Sequence, residues 1–307
     1  MEILLLKRGS IFMLEHYVRT DLALELKEDI PEKSPLQGVE IEEFKDEEHA
    51  LLRTHIRVVD KNGEKLLGKP IGNYITIESP KLCADDEEIH EPFVDELHDV
   101  LKKLIHGARK IFVIGLGNRN VTPDALGPYV VDHLYITRHL LREGFVEKAM
   151  EIAALSPGVM AQTGIETSTI IKSLCEEIKP DVVICVDALA ARETERLNTT
   201  IQVCDTGITP GAGVGNRRLS LNEETLGVPV IAVGVPTVIS MPAIVQHAIE
   251  GLFSRIPEKL VNQCEPEISS FFRDASIASM FVTPKNIDEI INRVSYTISE
   301  AINRFLT

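Results

Sequence analysis

The N-terminal part of the chain shows two kinds of hydrophobic spacing. Residues 1–36 are polar and irregular, and they predict an arm outside the core. Residues 38–80 alternate apolar and polar side chains, which is typical of strands with one buried face. Asn62-Gly63 interrupts this alternation and predicts a hairpin turn, because both turn positions need a positive φ. The section is therefore predicted to be rich in β-structure.

A helix is predicted next, because apolar side chains recur at intervals of three and four residues. Its acidic residues come early and Lys102-Lys103 come late, which suits the helix dipole, and Gly107 is a plausible residue for ending it. The apolar stripe consists of Phe93, Leu97, Val100, Leu101 and Leu104.

Short, wholly apolar runs mark the remainder of the chain. They cover residues 111–115, 182–186 and 230–233, and helical stretches such as 167–178 separate them. This pattern is typical of a parallel sheet that is covered on both faces. We therefore predict an α/β fold with a mostly parallel sheet, helices on both faces, and the N-terminal β-rich section attached to the same sheet.

Composition and charge exclude several classes of protein. The 307 residues are 44% hydrophobic, which excludes an intrinsically disordered chain. The chain has 32 Lys+Arg and 47 Asp+Glu, so its formal charge is −15 and phosphate groups would be repelled. Residues 38–50 and 82–101 together carry −13 of this charge. We therefore expect no direct binding to nucleic acid, and an acidic outer face apart from a nearly neutral α/β part.

Cysteine usage and hydropathy bear on the compartment. The five cysteines are scattered without a C-x-x-C pair, which fits a reducing compartment. The apolar stretch near the start is too short for a secretory signal, and no stretch approaches the ~20 apolar residues of a membrane span. The sequence thus predicts a cytoplasmic protein without a membrane partner.

Two aspartates are the strongest candidates for catalysis. In an open α/β sheet the ligand site lies beyond the carboxyl ends of the strands. Asp124 and Asp187 each follow an apolar run, and each is followed by Ala-Leu. If the two strands are neighbours, one carboxyl group would be held protonated and the other charged. Such a pair supplies the general base and general acid that amide hydrolysis needs.

A structural role for each acid remains open at this point. Thr122 could cap a helix, with Pro123 and Asp124 in its first turn, and Asp187 could cap the helix after its own strand.

Other kinds of site have less support. Gly115-x-Gly117 lacks the third glycine of a dinucleotide-binding loop, because Asn120 stands there. None of the nine histidines has a metal-binding spacing, and no serine lies in a G-x-S-x-G elbow. Each cysteine is expected to be a buried, inert thiol.

Long segments of the chain resemble the germination protease family of spore-forming bacteria. The resemblance runs from about Tyr17 to the C-terminus. The most specific segments are 18–23, 68–72, 115–128, 156–164, 187–192, 211–216 and 282–285.

The resemblance implies an atypical aspartic endopeptidase that degrades small acid-soluble spore proteins in the forespore and spore core. It implies a fold similar to hydrogenase maturation endopeptidases and places the essential aspartates at Asp124 and Asp187. In those relatives the corresponding acids bind nickel together with a histidine. That histidine has no clear equivalent here, so we expect no metal and no cofactor. A nickel-dependent maturation-type peptidase and a catalytically silent sporulation protein of the same fold are the alternatives.

The family also implies a homotetramer and a zymogen that processes itself. Thr20-Asp21-Leu22-Ala23 fits the family's cleavage pattern, so we expect processing between Asp21 and Leu22. Residues 1–21 would then be an extension and propeptide, with Met13 as a second candidate start, and residues 22–307 one catalytic domain. Further candidates for contacts with the substrate or its oxyanion are Arg192, Gly158 and Gly213.

Overall fold

One mixed sheet runs through the computed structural model, which describes residues 20–30, 36–83, 90–211, 218–253 and 279–306. The strand order is β1-β2-β3-β7-β8-β6-β4-β5, and β9 pairs with β8. The strands are β1 (Val39–Asp46), β2 (Leu51–Val58), β3 (Gly72–Glu78), β4 (Lys110–Gly115), β5 (Glu151–Leu155), β6 (Val182–Ala191), β7 (Thr200–Cys204), β8 (Val230–Ser240) and β9 (Phe281–Val282).

The direction of the strands divides the sheet into two parts. Strands β5, β4, β6 and β8 are parallel, whereas β1, β2, β3 and β7 form an antiparallel section that joins at β8. The predicted α/β class and the attachment of the β-rich section to the same sheet are confirmed. The expectation of a mostly parallel sheet is corrected to a mixed one, because β7 runs antiparallel between β3 and β8.

Helices cover both faces of the sheet, as predicted. On one face the helices at residues 90–104, 126–132 and 287–303 pack against Ile111 and Val113 of β4. On the other face the helix at residues 167–178 packs against Phe112 and Ile114. Alternate side chains of a strand point to opposite faces, so one apolar run fills both cores. The helices are α1 (Ala23–Glu28), α2 (Lys61–Leu67), α3 (His90–Leu104), α4 (Leu126–Asp132), α5 (Arg138–Arg142), α6 (Met160–Thr163), α7 (Thr167–Ile178), α8 (Glu223–Leu226), α9 (Met241–Phe253) and α10 (Ile287–Asn303).

Helix α3 confirms the amphipathic prediction. Phe93, Leu97 and Leu101 are buried against the sheet, and the chain leaves the helix through Gly107 at φ 78°. Within the described residues, no helix is both long and apolar enough to cross a membrane.

The prediction of a hairpin turn at Asn62-Gly63 is wrong. Both residues lie in α2, whose first turn is capped by Asp60, which accepts hydrogen bonds from their two N–H groups. Gly63 is needed for close packing instead, because a Cβ there would lie 1.9 Å from the carbonyl oxygen of Gly38. The turn that joins β1 and β2 contains Ala50 at φ 53°.

The prediction of an arm outside the core is wrong for residues 20–30. Leu22 and Ala23 have no exposed surface, and α1 packs in a cluster with Ile56 and Tyr74 of the antiparallel section. Apolar side chains at 22–24 therefore belong to the core, although the segment is too short to show a clear period. Residues 1–19, including Met13, lie outside the described residues.

Candidate active site

A cavity of about 630 Å³ brings the two candidate aspartates together. Asp124 and Asp187 both line it, as the sequence predicted, and so does Asp21 from the N-terminal segment. The wall also includes residues 188–190 of β6, Gln202 of β7 and Lys69 from the loop before β3. The cavity therefore lies where the parallel and antiparallel sections of the sheet meet.

Asp187 lies within strand β6, not after it as the apolar pattern suggested. The neighbouring strand β4 ends with Gly115 opposite Val186, while β6 continues beside β8 with Asp187 opposite Gly234. Asp187 is thus the first residue of β6 beyond its pairing with β4. An acid can occupy an otherwise apolar strand here because its carboxyl group reaches the cavity.

Asp124 is held by a tight loop between β4 and α4. It ends a short 3₁₀ turn, Thr122–Asp124, and its Oδ2 accepts a hydrogen bond from the N–H of Asn118 at 2.8 Å. The loop depends on Gly117, which has φ 106° and whose Cβ, if present, would lie 2.0 Å from the carbonyl oxygen of Asp124. The hydroxyl of Thr237 fixes the same turn by donating to the carbonyl oxygen of Pro123 at 2.6 Å.

Neither aspartate is a helix cap. The 3₁₀ turn and α4 both begin without a side-chain cap, and the carboxylate of Asp124 accepts from the upstream loop instead. Asp187 is in mid-strand, where its Oδ1 accepts from the N–H of Ala188 at 2.9 Å. Asp124 nevertheless lies in a first helical turn after Pro123, as its structural alternative predicted, whereas the helix-cap alternative for Asp187 is wrong.

The electrostatics of the cavity favour one protonated carboxyl group. Burial raises the pKa of Asp187 well above its ordinary value, and the charges of Asp124 and Asp21 raise that pKa further. Burial also raises the pKa of Asp124, while the hydrogen bond from Asn118 opposes that rise. Since a proton on one acid relieves repulsion of the other, the pair can supply an acid and a base at the same pH.

Asp21 lies in this cavity, where its main chain and its carboxylate both form hydrogen bonds. Its N–H donates to the carbonyl oxygen of Ala190 at 3.1 Å, and its Oδ2 accepts from the N–H of Ala190 at 2.9 Å. Its carbonyl oxygen accepts from Lys69 Nζ at 3.0 Å and from Gln202 Nε2 at 3.2 Å. The N–H of Ala23 then donates to Gln202 Oε1 at 2.7 Å. Gln202 therefore contacts the backbone on both sides of Leu22.

Leu22 packs against Leu189 and Ile208, which line the same cavity. It is fully buried in a small cluster with Leu189 and Ala191, and the partly buried Ile208 packs against this cluster. Asp187, Leu189 and Ala191 are at alternate positions of β6, although the register shifts between residues 189 and 190. The apolar patch thus adjoins the acidic residue along one strand.

Sequence reasoning missed Lys69 and Gln202. Lys69 belongs to one of the segments that carry the family resemblance, but nothing in its spacing relates it to Asp21. The sequence around Gln202 offers only a weak indication of a site, because this polar residue stands between Ile201 and Val203 in a short, buried strand. The contacts of both residues span long sequence separations, which a local pattern does not reveal.

Two of the other sequence-predicted contacts, Arg192 and Gly158, are not brought to the aspartates. Arg192 is absent from the cavity wall, and its guanidinium group donates to the carboxylate of Asp29 and to the carbonyl oxygen of Glu25. Gly158, at φ 71°, lies in the loop after β5 and is likewise not a wall residue. Gly213 lies outside the described residues.

The described ranges contain no group of three or more His, Cys, Asp or Glu side chains arranged to hold a metal ion. Cys204 borders the cavity, but burial raises the pKa of its thiol, which disfavours the reactive thiolate.

Comparisons with known proteins agree with the resemblance. The family model described as germination protease matches residues 19–278. The germination protease of Caldanaerobacter subterraneus subsp. tengcongensis is 43% identical over 304 residues, which cover 93% of each chain. That of Clostridium tetani is 41% identical, covering 93% of this chain and 94% of the relative. The germination protease of Bacillus subtilis is 44% identical, and the match covers 80% of this chain and 69% of that relative.

Among solved structures, the [NiFe] hydrogenase maturation protease HycI from Thermococcus kodakarensis matches with a TM-score of 0.31 and 20% identity. The match covers 51% of this chain and 97% of that chain.

Proposed function

Because this chain belongs to the germination protease family, and is a peptidase, we propose that it cleaves small acid-soluble spore proteins by means of Asp124 and Asp187. The observation that carries the proposal is the shared cavity, which both aspartates line together with Asp21. A peptide segment bound in this cavity would share it with an acid and a base.

The proposed chemistry uses the two aspartates in turn. The ionised carboxylate removes a proton from a water molecule as that water attacks the carbonyl carbon. The protonated carboxyl group gives its proton to the leaving nitrogen when the C–N bond breaks. We infer that no metal or cofactor is required for these steps.

The test is peptidase activity of Asp124→Asn and Asp187→Asn variants on a purified small acid-soluble spore protein. Each variant should lose at least about 1,000-fold in turnover, because an amide cannot exchange the proton. Asp99→Asn is the control, since Asp99 is an exposed acid on α3. Near-normal turnover in either active-site variant would refute the two-aspartate mechanism, and loss of activity on chelation would favour a metal enzyme instead.

We further infer that the enzyme processes itself between Asp21 and Leu22, in the spore compartment and as a homotetramer. The position of Asp21 in the cavity wall supports the processing step, because Asp124 and Asp187 line the same cavity. N-terminal sequencing of the mature chain should begin at Leu22, and light scattering should give four chains per particle. A mature terminus elsewhere would contradict the processing site.

A further inference from the structure

We propose that Lys69 and Gln202 form a carbonyl clamp that stabilises the oxyanion formed during peptide hydrolysis. The inference rests on the proposed function, since it concerns the same cavity and the same Asp21–Leu22 bond. It adds two catalytic residues from outside the aspartate pair.

The geometry of the clamp is that of a two-donor oxyanion site. Lys69 Nζ and Gln202 Nε2 reach the carbonyl oxygen of Asp21 at 3.0 and 3.2 Å. A positively charged and a neutral donor converge on one acceptor, so a negative charge on that oxygen would be met from two directions. The oxyanion at the Asp21 carbonyl would therefore be stabilised without the backbone N–H groups of a glycine-rich loop.

The surroundings favour a functional clamp over a simple anchor for α1. Gln202 is 7% exposed and uses both of its polar atoms on the segment, one on each side of Leu22. The first turn of α1 is also held independently of the clamp, because buried Glu25 accepts from the N–H groups of Arg192 and Glu193 at 2.8 and 2.9 Å. The helix thus has a separate attachment that does not involve the cavity.

The clamp also implies a separate proton-transfer role for each aspartate. When water adds to the carbonyl carbon, its proton goes to the ionised aspartate and the π electrons of the C=O bond move to the oxygen held by Lys69 and Gln202. When the C=O bond forms again, the C–N bond breaks and the nitrogen of Leu22 takes the proton of the second aspartate. Because the carbonyl oxygen already has two donors, the protonated aspartate is left for the leaving amine.

The chain's own cleavage is the most direct assay, because the carbonyl oxygen of this bond already contacts both proposed donors. Full-length Lys69→Met should convert to the Leu22 form about 100-fold more slowly than the unchanged chain, as removal of one oxyanion donor does. Lys69→Arg should recover part of the rate by restoring a charged donor. Lys65→Met, at an exposed lysine of α2, should cleave at the unchanged rate.

Hydrogen exchange separates catalysis from docking. In uncleaved Lys69→Met, amide protection across residues 20–28 should match that of uncleaved Asp187→Asn, which keeps the clamp. Slow cleavage with protection retained supports the clamp, whereas slow cleavage with protection lost shows that Lys69 only anchors the segment and overturns it.

Gln202→Met provides the second arm, because it keeps the length of the side chain but removes both polar atoms. It should also slow cleavage by about 100-fold or more. If Asp124→Asn and Asp187→Asn are inactive while Lys69→Met or Gln202→Met cleaves at the unchanged rate, the clamp is wrong and the proposed function stands. If the two aspartate variants remain active, the proposed function and the clamp are both wrong.

Discussion

Asp187 and Asp124 share one cavity, but Asp187 is only 6% exposed and stands within a strand, whereas Asp124 is less deeply buried and ends an exposed loop. Burial raises the pKa of Asp187 well above its ordinary value, and the charge of Asp124 adds to this rise. We therefore expect Asp187 to be the protonated member of the pair and Asp124 the base.

This assignment predicts a pH-dependent gain in stability from Asp187→Asn. As pH rises above the ordinary aspartate pKa, the unfolded chain ionises Asp187 while the folded chain still holds its proton. The folded state then binds more protons, so the free energy of unfolding falls until the raised pKa is reached. The asparagine variant lacks that fall and should gain on the order of 1–3 kcal/mol over the unchanged protein near neutral pH.

Urea unfolding of both proteins at a series of pH values between 4 and 8 measures the difference. The gap should widen with pH, and Asp124→Asn should show a smaller widening because its carboxyl group is less buried. A gap that is constant with pH would show that the pKa of Asp187 is not raised in the folded state.

Replacing Gly117 with alanine should impair the active site specifically. An alanine Cβ there would lie 2.0 Å from the carbonyl oxygen of Asp124, so Gly117→Ala must displace the loop that positions the carboxylate. We expect turnover to fall by at least about 100-fold, since small displacements of a reacting group are costly. Gly107→Ala is the matched control, because Gly107 also has a positive φ but has nothing within 4 Å of the added Cβ.

Both variants should lose about 1 kcal/mol of stability from the strained backbone, and Gly117→Ala should lose more through crowding. Thermal unfolding and turnover, measured side by side, separate the two effects. Equal turnover in the two variants would mean that the position of Asp124 does not depend on Gly117.

Arg192 is expected to contribute stability and not catalysis. Its guanidinium group bonds the carboxylate of Asp29 and the carbonyl oxygen of Glu25, so Arg192→Met should lower the free energy of unfolding by roughly 1.5–3 kcal/mol. Turnover at a temperature where the variant is folded should change less than about threefold. Arg57→Met, which removes an exposed ion pair with Glu40, should cost less than about 1 kcal/mol.

The sequence predicts the aspartate pair because both acids interrupt or follow strongly apolar strands, and strands of this kind meet at one edge of a sheet. It predicts α3 for a similar reason, since a long one-sided stripe admits few alternatives. It does not predict that β6 continues through Asp187, because the acid breaks the apolar run on which the prediction depends.

Contacts between distant segments are the part that local patterns leave out. Gly63 reads as a turn residue, yet it is glycine because the carbonyl group of Gly38 approaches it. Lys69 and Gln202 meet at Asp21 across sequence separations of 48 and 181 residues, and neither contact leaves a periodic signal. Arg192 directly follows β6, but its guanidinium group contacts Glu25 of α1 and Asp29, the residue after that helix.

The hydrogen bond of the Asp21 carboxylate predicts that the proposed self-cleavage depends on this residue. Its Oδ2 accepts from the N–H of Ala190 at 2.9 Å, and this bond helps to hold the segment in the cavity that Asp124 and Asp187 line. Asp21→Ala removes the bond and should slow self-cleavage by about 10- to 100-fold, which corresponds to the roughly 1.5–3 kcal/mol of a hydrogen bond to a charged group.

Asp21→Asn distinguishes the hydrogen bond from the charge. Its amide oxygen can still accept from Ala190, so cleavage should remain within about tenfold of the unchanged rate if the bond is what matters. The charge of Asp21 raises the pKa of Asp187, so this variant should also shift the alkaline limb of the rate profile to lower pH. Mass spectrometry of the products at several pH values measures both effects, and equal slowing in the alanine and asparagine variants would assign the requirement to charge.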